Sequence, residues 1–307
     1  MNLPKNVRIV EVGPRDGLQN ERNPLPTAVK IEFVNALTRA GFRDIEVSSF
    51  VRADKIPQLA DASEVFAKIE RRPGVRYWAL VPNEKGFEAA QSAGVGHIAV
   101  FTAATDGFSK ANVGVGMEES IQRLSPVLSR ARAAGLPVRG YVSTVFGCPY
   151  EGKVDPQAGP RVARRLLDMG CEEISLGDTI GVAVPADIHR VLDQTAAAQI
   201  PFAQIALHLH DTRGTALANV LAGLERGIAI FDSSAGGLGG CPFAPGATGN
   251  LATEDLLYFL QGMGIETGIS FDETARASAG IASLLGHPLP SRARAAWAST
   301  QNSAVRW

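Results

Sequence analysis

Eight times along this chain a short β-rich run gives way to a longer stretch with helical periodicity, and few architectures accommodate that alternation. The β-rich runs are "VRIVEV" (7–12), "DIEVSS" (44–49), "VRYWALV" (75–81), "HIAVFT" (97–102), "PVRGYVS" (137–143), "EEISLGD" (172–178), "QIALHLH" (204–210) and "IAIFDSS" (228–234). Amphipathic stretches begin between them at Thr27, Asn83, Met117, Ala158, Pro185 and Gly214, and several end in Gly just before the next run, as a helix turning back to a sheet requires. This pattern predicts an α/β fold, a (β/α)8 TIM barrel, over residues 1–265. A doubly wound sheet normally has fewer parallel strands, and its early GxGxxG turn is absent from the sequence. After "LATEDLLYFLQGMG" the Ala-rich tail, 266–307, is expected to form additional C-terminal helices packed on the barrel.

With 45% apolar and 20% charged residues, a chain of 307 residues can bury a sizeable core. Thirty basic against 31 acidic residues give a formal charge of -1, so charge offers no broad case for nucleic acid or an anionic membrane as partner. Basic clusters such as "RVARR" (161–165) read as solvated helix faces. Cys148, Cys171 and Cys241 form no CxxC pair, which argues against a disulfide scaffold or a Cys-rich zinc module and for a reducing compartment. The first residues have neither a leader nor a presequence pattern, and no apolar run is long enough to span a membrane. The expectation is a soluble, cytoplasmic protein.

Barrel strands present their C-terminal ends to one mouth, so polar residues at those ends are the candidates for chemistry. Arg15 and Asp16 follow the first strand, where Gly13-Pro14 is expected to begin a loop; a salt bridge tying down that turn is an equal reading. Glu46 lies in the second strand, Asp178 at the end of the sixth, His208 and His210 in the seventh and Asp232 near the end of the eighth. The alternation in "HLHD" (208–211) puts both imidazoles on one face, able to share a metal ion; two hydrogen-bonded core histidines give the same pattern. Asp16 would add a hard oxygen ligand, a mixture suited to Mg, Mn, Fe or Zn. Residues 232–255 read as one long Gly-rich loop carrying Cys241, a lid or an irregular connector. His97 and His189 are expected to be structural or at the surface, His287 lies in the tail, Cys171 reads as core, and Cys148 either lines the mouth or packs below it.

Taken together, "EVGPRDGLQNE", "YVSTVFGCPYEG", "SLGDTIG", "LHLHDTRGTALAN" and "GGLGGCPFAPGATGNLATEDL", spanning residues 11–256, closely resemble the 3-hydroxy-3-methylglutaryl-CoA lyase family. That family belongs to a metal-dependent barrel superfamily that also contains isopropylmalate and homocitrate synthases. The resemblance implies Mg2+- or Mn2+-dependent cleavage of (S)-3-hydroxy-3-methylglutaryl-CoA to acetyl-CoA and acetoacetate, in leucine degradation and ketone-body formation, by a homodimer. Carried over motif by motif, it implies Asp16, His208, His210 and Asn250 as metal ligands and Arg15 as the residue stabilising the enolate-like product. It further implies Cys241 as proton donor, and Glu46, Asp178 and Glu254 as supporting acids; Cys148 matches a further family Cys. The chain departs from the family pattern at Arg22, where Lys is common after "LQNE", and in "SFVRADK", which displaces Lys55. Arg22 can still engage a CoA phosphate, with different geometry.

Such residues suit the reaction. Cleaving the C2–C3 bond of a tertiary alcohol needs a base for the hydroxyl proton, with Asp16 and Asp178 both open to that role. It also needs a sink for the departing thioester carbanion, which Arg15 would supply. Two other readings fit a metal-dependent acyl-CoA barrel: a Claisen-type condensing enzyme joining an acyl-CoA to a 2-oxo acid, and an acyl-CoA-binding barrel without turnover.

Overall fold

The structure is a computed structural model and describes residues 3–240 and 249–301. Its elements run β1 (Arg8–Glu11), α1 (Thr27–Ala40), β2 (Asp44–Ser49), α2 (Ala62–Lys68), β3 (Arg76–Leu80), α3 (Glu84–Ser92), β4 (His97–Ala103), α4 (Asp106–Val113) and α5 (Met117–Ala133). They continue with β5 (Val138–Ser143), α6 (Ala158–Asp168), β6 (Glu173–Asp178), α7 (Pro185–Ala197), β7 (Ile205–Leu209), α8 (Ala216–Glu225) and β8 (Ile230–Ser233). Helices α9 (Thr253–Gly262), α10 (Phe271–Leu285) and α11 (Arg292–Gln301) complete the order. Each strand pairs in parallel with its sequence neighbour, and β1 pairs with β8 to close the barrel. This is the TIM barrel that the alternation predicts.

Both faces of each strand are covered, so the strands read as continuous buried runs whose two faces differ in chemistry. In β2 the apolar Ile45 and Val47 pack with Phe33, Val34 and Leu37 of α1 in the main core between strands and helices. In β5, Val138 and Val142 belong to that same outer core, while Arg139 and Tyr141 alternate with them. Helix α1 ends at Gly41, whose φ of 104° lets the chain turn back, and a Cβ there would strike the Gly268 carbonyl in the tail.

The inside of the barrel is less ordinary. Such interiors are usually layered with branched aliphatic residues; here Val10, Val12, Ala206 and Ile230 form a small apolar cluster of their own. Much of the rest is ion-paired. Arg8 bonds Glu173 and lies 3.3 Å from Asp44 as an ion pair, Arg76 pairs with Asp44 at 2.8 Å, and Arg139 pairs with Glu173 at 2.7 Å and with Asp232. Buried charges persist only when paired and hydrogen-bonded, and this set largely meets that condition.

The structure revises three local expectations. Gly13–Gly17 is a single wide helical turn, not an open loop. β7 stops at Leu209, leaving His210 just beyond it in an isolated bridge to Asn250. The supposed loop 232–255 contains a 3-10 turn at Ala235–Gly237 and the start of α9 at Thr253, so Glu254 belongs to a helix; Cys241 lies outside the described residues.

Candidate active site at the C-terminal mouth of the barrel

The turn after β1 sets the first half of the site. Pro14 at its start has a fixed φ and no N–H to lose, and Asp16 N donates to Val12 O at 2.7 Å, so the chain curls back over the end of the strand. Arg15 and Asp16 thereby face the barrel axis. Arg15 donates from Nε to Glu46 Oε2 at 2.8 Å and from Nη1 to Asp16 Oδ1 at 2.6 Å. The guanidinium also lies 5.5 Å from the Tyr141 ring centre.

The second half comes from β7 and β8. His208 is in register with Asp232, so the two side chains stand together, and His208 Nδ1 lies 3.2 Å from Asp232 Oδ2. Because an ionised carboxylate only accepts, Nδ1 carries a hydrogen, and Nε2 is the nitrogen turned toward the other candidate ligands. His208 Nε2 in turn lies 3.2 Å from His210 Nε2 and 4.0 Å from Asp16 Oδ2. Asn250 donates from Nδ2 to Asp16 Oδ2 at 2.8 Å and to Leu238 O at 3.1 Å.

One ligand atom from each of Asp16, His208 and His210 can be chosen so that all lie within 4.8 Å of one another. Neighbouring ligands around an octahedral Mg2+ are about 3 Å apart, given bonds of about 2.1 Å. Two further observations favour a cation. Asn250 Oδ1 is buried with no partner among the described residues, and so is His210 Nδ1. Unpaired polar atoms are rare in a folded interior, and an acceptor oxygen beside two imidazoles and a carboxylate suits a divalent ion. The residues fit the group.

Electrostatics agree with Asp16 and His210 as donors; His208, despite its burial, is raised by Asp232 and Asp16, so a cation would displace its Nε2 proton. Burial pushes the Asp16 carboxyl up, but Arg15, His208 and His210 outweigh it and hold the group at about 2. Burial and the neighbouring His208 push His210 down to about 3, so it is neutral at physiological pH. Burial also works against ionised Asp232, yet Arg139 and His208 bring its carboxyl well below the ordinary range. An anionic carboxylate and a neutral imidazole are the forms that bind metals.

Above this floor opens a cavity of about 770 Å3. Arg15, Asp16, His208 and His210 line it, as do the apolar Leu80 and Phe101 and the cations Lys55 and Lys110. Arg22 is exposed and is not among the lining residues, whereas the displaced Lys55 is. Asp178 and Glu254 stand apart from the floor. Asp178 accepts from Val182 N and Ala183 N, each at 3.0 Å, and burial raises its carboxyl to about 6. Glu254 accepts from Gly236 N at 2.7 Å and from the Ser278 hydroxyl, with burial raising it to about 7. Cys148 is buried against Thr105, Phe108 and Val154.

Sequence reasoning passed over Lys110, Tyr141 and Arg139. The first sits on α4, which was not anticipated. The other two alternate within "VRGYVS", a period-two signal that places both on the inner face of β5.

Comparison with known proteins agrees with the fold. The HMGL-like family model matches residues 6–281, and the chain belongs to that family. It is 53% identical over 293 residues to the 3-hydroxy-3-isohexenylglutaryl-CoA/hydroxy-methylglutaryl-CoA lyase of Pseudomonas aeruginosa, covering 95% of this chain and 97% of that one. A mitochondrial hydroxymethylglutaryl-CoA lyase of Bos taurus is 51% identical over 283 residues, 92% of this chain and 87% of the relative. The crystal structure of hydroxymethylglutaryl-CoA lyase from Pseudomonas aeruginosa superposes with a TM-score of 0.96 at 52% identity, covering 98% of this chain and 100% of the other.

Proposed function

We propose that this chain cleaves (S)-3-hydroxy-3-methylglutaryl-CoA to acetyl-CoA and acetoacetate, a step of leucine degradation, with a divalent cation held by Asp16, His208, His210 and Asn250. The observation that carries the reading is the convergence of Asp16, His208 and His210 with the Arg15 guanidinium on the floor of one cavity, with Asn250 hydrogen-bonded to Asp16. The cation is Mg2+ or Mn2+, in keeping with the oxygen ligands from Asp16 and Asn250. When bound, it supplies Lewis-acid polarisation of the substrate's tertiary hydroxyl.

The chain's own groups do the rest. Asp16, ionised and bordering the cavity, is the proposed acceptor of the hydroxyl proton, and Asp178 is committed to two backbone N–H groups. As the C2–C3 bond breaks, its electron pair moves onto C2 and the thioester oxygen, while C3 becomes the ketone carbon of acetoacetate. Arg15 stabilises the resulting enolate oxygen, and Glu46 holds that guanidinium in place. Cys241 is the proposed donor of the proton that completes the acetyl methyl group. Lys55 and Lys110, at the cavity wall, suit the phosphates of CoA.

Among the described residues no helix is long and apolar enough to cross a membrane, and Cys148 and Cys171 are free and buried. A cytoplasmic homodimer is the state proposed, testable by fractionation and light scattering. The activity itself is tested on metal-stripped protein with and without Mg2+ or Mn2+. Equal acetyl-CoA and acetoacetate appearing only with metal supports the reading. No cleavage by folded, metal-loaded protein rejects it and directs attention to acyl-CoA condensation with 2-oxo acids.

A further inference from the structure

Arg139 occupies the middle of the barrel with no solvent exposure, and each of its three nitrogens is engaged. Nε donates to Glu173 Oε1 at 2.7 Å, Nη1 to the Tyr141 hydroxyl at 2.7 Å, and Nη2 to Asp232 Oδ1. Two of these partners lead on to opposite halves of the candidate site. Asp232 Oδ2 accepts from Ser175 Oγ at 2.7 Å and faces His208 Nδ1 at 3.2 Å. The Tyr141 hydroxyl donates to Glu46 Oε2 at 3.1 Å, and that same oxygen holds Arg15.

The direction of these bonds matters as much as their existence. A guanidinium has only donors. Since the Tyr141 oxygen accepts from Arg139, its own hydrogen is left to point at Glu46. On the other arm Asp232 is fixed as an acceptor, so His208 presents Nδ1–H to it and turns Nε2 toward Asp16 and His210. One rigid fork therefore sets the hydrogen-bond polarity of two chains, one ending at a metal ligand and the other at the residue facing the developing enolate. We infer that Arg139 is a positioning residue that couples the metal-binding arm (Asp232–His208) to the Arg15 arm (Tyr141–Glu46). It does not line the cavity and is not one of the candidate ligands.

A lysine at this position would keep the charge, but one nitrogen cannot reproduce the fork. The inference rests on the function proposed above, so wild-type protein is the first control. Wild-type protein that neither binds Mn2+ nor cleaves substrate removes both readings together, whereas failure confined to the variants removes this one alone. Mn2+ affinity is read by electron paramagnetic resonance without substrate, and kcat and KM are measured at saturating Mn2+.

Asp232→Asn interrupts only the metal arm and is expected to weaken Mn2+ binding about 10–100-fold. Tyr141→Phe interrupts only the other arm, and is expected to lower kcat while leaving Mn2+ affinity within about twofold of wild type. Arg139→Lys is expected to do both. Combined with Asp232→Asn it should weaken Mn2+ binding no further than the stronger single change, because both act along one chain. Wild-type Mn2+ affinity in folded Asp232→Asn, or wild-type kcat in Tyr141→Phe, overturns the coupling. So do additive losses in the double variant. If Arg139→Lys does not fold, Arg139→Gln, which keeps an N–H donor but not the fork, takes its place in the same two measurements, and an effect on one arm alone overturns the coupling.

Discussion

Arg15 shows how much can depend on the shape of one side chain. Its guanidinium spans Glu46 and Asp16 with separate nitrogens while bordering the cavity. Arg15→Lys offers one nitrogen for three tasks, so kcat should fall about 10²–10³-fold, the range seen when a donor to a developing oxyanion is removed. Steady-state kinetics on folded variant decide it, and kcat within a factor of a few of wild type would discard the enolate role. Lys110 should behave differently. If it binds a CoA phosphate, which is unchanged through the reaction, Lys110→Ala should raise KM about tenfold and leave kcat alone, since uniform binding is what it removes. A drop in kcat with KM unchanged would move Lys110 from anchoring to chemistry. The sequence exposed the two residue types unequally. His208 and His210 were legible because alternation places them on one face, with Asp16 near a strand end as a third candidate. Arg139 was not, because an arginine inside a strand gains its meaning only when the barrel closes and brings it to Asp232, 93 residues away.

At the scale of elements, the strand and helix alternation was legible because burial on two faces makes β-branched runs, and Gly-terminated amphipathic stretches separate them. Helices α2 and α4 were not. The first has seven residues, and the second reads "DGFSKANV", with Gly, Ser and Asn of weak helix propensity. Tertiary contacts hold α4 instead: Gly107 N donates to Glu151, and the Asp106 carboxylate accepts from Met117 N at 2.7 Å. The hinge after β8 is another product of tertiary structure. Gly236 has φ 69°, donates to Glu254 Oε2 at 2.7 Å and accepts from Ser291 N at 3.2 Å, so the C-terminal extension grips the start of the Gly-rich segment. A Cβ at this position would be driven into Leu289. Gly236→Ala combines left-handed strain with overpacking and should cost about 2 kcal/mol or more. Urea unfolding measures it, and a cost below about 0.5 kcal/mol would show that the extension yields easily to the hinge.

For the molecule as a whole, eight alternations were enough to indicate a barrel, but a formal charge of -1 concealed how its charges are distributed. The carboxyls and guanidinia inside the barrel, and the buried acids around its mouth, emerge only from the strand register and the packing of the tail. Glu11 illustrates the consequence. It accepts from Gly13 N and Ala235 N, each at 2.8 Å, and from the Thr253 hydroxyl at 2.7 Å, joining the first turn to the segments after β8. Burial nevertheless outweighs those donors and raises its carboxyl to about 8. In the unfolded chain the group ionises near its ordinary value of 4.5, so between these two values the folded protein holds a proton that the unfolded chain has released. The contribution to stability is therefore complete below the unfolded value, declines as pH rises, and has gone once pH exceeds the folded value. Its slope is at most about 1.4 kcal/mol per pH unit. Asp16 has the opposite sign, with a folded value of about 2, and loses its contribution only as pH falls into the acid range, outside this window. Glu11→Gln retains an acceptor for the two backbone N–H groups and removes the titration. Measured by urea unfolding from pH 4 to 8, the variant should gain stability relative to wild type as pH rises above 4.5, while the two run parallel below it. Parallel curves across the whole range would mean that Glu11 is ionised in the folded protein and that its three donors, not its burial, set its charge.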